Sequence, residues 1–184
     1  MLISQAQDEM RRAYVGGGPG VLISSAVWLA AAAVALGQGA RFGFIALYFG
    51  AMAIHPLDKL VRSLVFNRPA ERPDNPLRRA ALESTFAMIA GLLAAWLILP
   101  RAPELAFPIA AAVVGARFFL FRTVFGDGVF WLLGASLLGV GVAGALVPAL
   151  RPATAPLAAL VELGFGLVLT ARAVRASKIR TLPA

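Results

Sequence analysis

The sequence contains no cysteine and a single histidine, His55. The first absence excludes disulfides, thiolate metal sites and cysteine nucleophiles. The second leaves no set of imidazoles from which to build a metal centre. Charge is scarce as well: 14% of residues are charged, where an ordinary soluble domain carries about a quarter. The deficit falls mainly on one sign, with nine Asp and Glu against 17 Lys and Arg. Motifs of catalysis are missing. There is no Walker loop, no HExxH, and no carboxylate pair suited to intramembrane aspartyl cleavage. A serine–histidine dyad would have to use His55 near the membrane surface, and the GGGPG run at 16–20 lacks the strand and lysine of a phosphate cradle. The chain is read as non-enzymatic, with neither cofactor nor metal.

What the chain has instead is apolar length. Of its 184 residues, 60% are hydrophobic, gathered into runs of the roughly 20 residues that cross a hydrocarbon core as a helix. The expected fold is an all-α polytopic membrane protein, a bundle of six transmembrane helices in three hairpins. The spans fall at about 21–36, 42–58, 77–99, 105–125, 129–147 and 157–174, within a transmembrane domain at 21–175. Residues 1–20 form an amino-terminal segment, read as a short interfacial helix or a tail, and 176–184 a basic tail. Pro56 is expected to kink the second span, which can run on to Phe66 with Lys59 and Arg62 at the headgroups. Arg11 and Arg12 before the first span resemble a twin-arginine signal, but the apolar run is long and the segment is expected to stay uncleaved.

The stretch 55–83 carries Lys59, Arg62, Arg68, Arg72, Arg78 and Arg79, and no other connector is so cationic. With six spans, fourteen Lys and Arg lie on one side and only Arg41, Arg101 and Arg151 on the other. Cations favour the cytoplasmic side, so both termini are expected there, in a bacterial inner membrane. The net charge of +8 is therefore a loop charge facing anionic headgroups along 59–79, with no nucleic acid as partner.

Within lipid, close backbone approach holds helices together more than apolar area does. Small residues recur at four-residue spacing at Ala87, Gly91 and Ala95, again at Ala135, Gly139 and Ala143, and at Ala111 and Gly115. These stripes are expected to mark helix contacts, within one chain or across a homodimer.

Ionisable groups at depth cost about 2.5–3.5 kcal/mol each and need a partner or water. Arg117 is the deepest, roughly 13 Å from the inner boundary at 1.5 Å per residue. Glu83 and Glu162 lie at depths that either can reach, with Glu83 slightly preferred as its partner. A buried ion pair that locks packing is one reading of Arg117; a site for a charged solute is the other. His55 and Asp58 are spaced to meet on one helical face near the inner mouth, as an interfacial cap or as a proton relay or gate.

Three segments carry a family resemblance: HPLDKL at 55–60, NPLRRAALES at 75–84, and VVGARFFLFRTVFGDGVFWLLGA at 113–135. Over about residues 15–145 the chain resembles an uncharacterised family of small bacterial six-helix membrane proteins carrying a domain-of-unknown-function label. The resemblance implies the topology and no activity. The expected function is a small transporter or channel-like protein for a small, anionic solute, with Arg117, Glu83, Glu162, His55 and Asp58 as its polar site. The alternative is a non-catalytic scaffold or accessory subunit whose buried charges are structural.

Overall fold

The computed structural model describes residues 1–180, so the end of the expected basic tail, residues 181–184, lies outside the described residues. The described chain is helical, with no strand. Seven α-helices follow in order: α1 Ile3–Ala13, α2 Gly18–Gln38, α3 Ala40–Leu64, α4 Pro76–Ile98, α5 Ala106–Phe125, α6 Val129–Leu146 and α7 Thr154–Arg180. Six of them are long and apolar enough to cross a membrane. The protein is thus an all-α bundle of six candidate spans, preceded by one shorter helix.

The chain turns where its local chemistry asks it to. Gly16 and Gly17, at φ +67° and +80°, bend the backbone between α1 and α2 in a conformation that other residues rarely adopt. Asn75 caps α4 by accepting from the Leu77 amide at 3.0 Å, and Pro76 fills the first helical position, where no amide is needed. In the 126–128 turn, Asp127 accepts from the Val129 amide at 3.0 Å. α3 continues through Pro56 to Leu64, although the proline removes one helical donor.

The helices neighbour one another in the order α3, α2, α7, α6, α5, α4, with α5 also touching α7. One side of this arrangement is closed by backbone contact. A Cβ on Gly141 of α6 would stand 2.5 Å from the Ala112 nitrogen of α5, and one on Gly115 would stand 2.5 Å from the Leu138 nitrogen. Only glycine fits there. The α6 contact face is therefore Gly134, Leu137 and Gly141. The expected stripe is not that face: Ala135 and Gly139 are exposed, and Gly139 has nothing within 4 Å. On α4, Gly91 does meet α5, at Val113, and Ala95 is buried, while Ala87 is exposed.

The other side is open. α3 and α4, joined by the 65–75 connector, touch only sparsely. At the end away from that connector they are held by rings, with Trp96 against Phe44, Tyr48 and Phe49 at centroid distances of 6.3, 5.1 and 6.3 Å. Toward the connector they diverge.

α1 closes the basic end of the bundle. It buries Ala6, Met10 and Ala13, and Asn75 donates to the Ala6 carbonyl at 3.2 Å. Gln7 donates to the Thr123 carbonyl at 2.8 Å, and Arg11 to that of Phe125. Glu9 pairs with Arg72 at 3.6 Å. The amino-terminal segment is a docked helix, not a loose tail.

Candidate functional site

Between the diverging helices lies a cavity of about 590 Å³, walled by α2, α3, α4 and α5 and floored by α1 and the 65–75 connector. His55, Arg78 and Arg79 line its basic end and are all exposed. Toward the far end the wall becomes Leu47, Leu92 and Val114, below the Trp96 cluster. The cavity thus opens at the basic end and is shut at the other.

Arg117 reaches into it from α5, eight residues before the end of that helix at Phe125, or about 12 Å along the axis. Its guanidinium donates to Thr85 Oγ1 at 2.9 Å, to Ser84 Oγ at 3.3 Å and to Met88 Sδ at 3.2 Å. It also lies 4.8 Å from the centre of the Phe121 ring. None of these partners is a carboxylate. Both hydroxyls already donate to the Ala81 carbonyl, at 2.7 and 3.1 Å, so their lone pairs are free to accept from the arginine. The cation is held in place without contact with a carboxylate.

The structure does not bring Glu83 to Arg117. Glu83 is exposed on the outer face of α4, while Ser84 is buried and Thr85 half-buried. Successive helical residues differ by about 100°, so one position decides which side of the bundle a side chain meets. The acid whose field reaches Arg117 is Glu162 of α7. Glu162 is 0% exposed, and neither of its oxygens has a hydrogen-bond partner. Ser24 and Trp28 of α2, which also line the cavity, are the polar side chains turned toward it, without closing a hydrogen bond.

His55 and Asp58 both line the basic end of the cavity, but they differ in environment. His55 is exposed and Asp58 is 5% exposed. The partner of Asp58 is Arg62, at 2.8 Å. Arg62 is itself 5% exposed, donates to the Ala13 carbonyl at 2.9 Å, and stacks 3.8 Å from the centre of the Tyr14 ring. It therefore does not reach the headgroups, as the sequence reading expected. The i, i+4 spacing of an acid ahead of an arginine is the signal that could have found this pair. Tyr14 carries a phenol pushed up from 10.0 to about 12, chiefly by burial and then by the nearby Glu71 carboxylate, against the opposing pull of Arg62. Together Tyr14, Asp58, Arg62 and Glu71 tie α1, α3 and the connector into the floor of the cavity.

Among the described residues, no three His, Asp or Glu side chains group as a metal ion would need. The arrangement can hold an anion at depth: a fixed cation, two hydroxyls and apolar walls, with an opening at the basic end. Over residues 3–172 the chain matches a family described as a family of unknown function (DUF7010). No curated protein and no solved structure matches it. The chain belongs to that family of unknown function.

Proposed function

We propose that this family member binds a small organic anion with an apolar body at Arg117 and carries it across a bacterial inner membrane, the basic end facing the cytoplasm. One observation carries the reading: the cavity leads from the basic end to a buried guanidinium that no carboxylate touches. A cation at that depth is costly, and a site built only for packing would offset the cost with an ion pair, as Asp58 and Arg62 do nearby. The apolar walls favour a solute that buries a hydrocarbon or aromatic body. Closure at the Trp96 end and opening at the other support one of the two states of an alternating-access carrier. No catalytic, cofactor or metal chemistry enters this reading, and its lipid partners are anionic headgroups along the 59–79 stretch. The exposed Ala135 and Gly139 leave a homodimer contact as a further proposal.

The test uses purified full-length protein and three probe anions: benzoate, phenylacetate and indole-3-acetate. At least one should bind, while benzamide, of similar shape but uncharged, should not. Arg117→Gln should weaken that binding by about tenfold or more, since a hydrogen bond to a charged group contributes about 1.5–3 kcal/mol. If none of the three binds, or Arg117→Gln leaves affinity unchanged, the reading fails. The second reading, a scaffold whose charges pin helices, is favoured by the three side-chain contacts that fix Arg117. It requires Arg117→Gln to destabilise the fold with no effect on any probe.

A further inference from the structure

We infer that Glu162 is the proton-coupling group of this site: it takes up one proton when an anion binds at Arg117 and gives it up when the anion leaves. The inference rests on the anion-site reading above and extends it to a co-substrate.

Glu162 is completely buried, and no hydrogen bond closes on either of its oxygens, although Ser24 and Trp28 are turned toward them. A buried carboxyl in a packing role would be closed by donors, as Asp58 is by Arg62. α7 packs against α2, α5 and α6 and against the short turns Val15–Gly17 and Pro148–Ala153. Of these, α2, α6 and the first turn contain no ionisable residue, the second turn holds Arg151, which pairs with Glu104, and α5 supplies Arg117 and, at its exposed end, Arg122. Glu162 and Arg117 therefore form an isolated pair of opposite charges, in each other's field but not in contact.

This isolation fixes the charge balance. With the site empty, one cation faces one carboxylate and the region is neutral. A bound monoanion adds a second negative charge beside a single guanidinium, in a region of low dielectric where like charges repel strongly. Neutrality returns when Glu162 becomes a carboxylic acid. One proton is then gained for each anion, and no other group need change. Ser24 faces Glu162 and also lines the cavity, so its hydroxyl can pass the proton between them. The coupling is reciprocal, so protonated Glu162 should favour anion binding by the same factor.

The experiment measures protons taken up per anion bound, using the tightest of the three probes and weakly buffered full-length protein between pH 6 and 10. Wild type should show an uptake maximum of at least about half a proton per anion, and Glu162→Gln should show none while still binding. His55→Gln, which removes the imidazole on the cavity wall, should keep the uptake. Should Glu162→Gln fail to fold, the infrared difference spectrum of wild type decides: anion binding should exchange a carboxylate band for a carboxylic acid band. Binding with no proton uptake at any pH overturns the inference and leaves the anion site standing. So does an uptake that His55→Gln abolishes, or an infrared difference spectrum lacking the acid band. If no probe binds, the anion-site reading falls, and this one with it.

Discussion

The two sides of the bundle are built on different terms. Where α5 meets α6, Gly115, Gly134 and Gly141 let the backbones touch, and the charge there, Arg122 lying 5.9 Å from the Trp131 ring centre, stays exposed at the edge. Where α3 faces α4, the helices meet only at a ring cluster and diverge around a cavity. The cavity wall holds Arg117 and Asp58, with Arg62 paired just behind it. The closed side is held by shape. The open side is held by charge and by α1 beneath it, and it can separate without breaking a backbone contact. A protein that must admit a solute from one end needs one such side, and it needs the other to stay fixed while the first moves.

The sharpest way to break this comparison is at the floor of the open side. Asp58→Asn leaves the Arg62 guanidinium buried without its carboxylate, and losing one partner of a buried pair costs about 3–5 kcal/mol. Thermal unfolding in detergent should show a large drop in melting temperature, with α1 becoming accessible to protease. An unchanged melting temperature would mean that the pair holds nothing. On the closed side, Gly141→Ala places a methyl 2.5 Å from the Ala112 nitrogen, and such overpacking costs about 1–3 kcal/mol. Gly139→Ala, two positions away and facing open space, should change stability by less than about 0.5 kcal/mol. Equal effects at the two glycines would remove the distinction between contact face and lipid face.

Arg117 should behave unlike Arg62 even though both are buried arginines of the open side. Arg117 forms no ion pair, and Ser84 and Thr85 keep their bonds to Ala81 without it. Arg117→Met should therefore leave the stability within about 1 kcal/mol of wild type, or raise it, because a cation at depth without a contacting carboxylate is itself costly. A loss as large as that of Asp58→Asn would place Arg117 among the structural charges.

The spans were legible because twenty apolar residues in a row have few other uses, and Arg117 was legible as the deepest cation in them. Faces were not. A helix surrounded by lipid is apolar all round, so the amphipathic signal that orients a helix in water is missing. Two expectations miss by one or two residues for that reason: Glu83 in place of Ser84 as the neighbour of Arg117, and the Ala135–Gly139 stripe in place of Gly134 and Gly141. Glu162 and Arg117 were both legible as buried charges, but their relation depends on how α7 packs against α2 and α5, which no local pattern encodes. Arg62 was misplaced because its long side chain was assigned to the headgroups, and it instead folds inward onto Asp58 and Tyr14.

The smallest effect comes from Tyr14, where α1 is pinned to the open side. Burial and the Glu71 carboxylate push its phenol up from 10.0 to about 12, so the folded protein retains this proton where an unfolded chain would release it. The sign follows from linkage: a group that binds its proton more tightly when folded adds stability below its unfolded value and loses it as pH rises through its folded value. The contribution of Tyr14 is thus complete below about pH 10 and fades between about 10 and 12. Tyr14→Phe cannot ionise and keeps the ring under Arg62, so its melting temperature should decline less steeply than that of wild type over that window while matching its shape at lower pH. Parallel declines would show that the phenol is not held neutral by the floor, and that α1 does not seal it as tightly as the contacts with Asn75 and Arg62 imply.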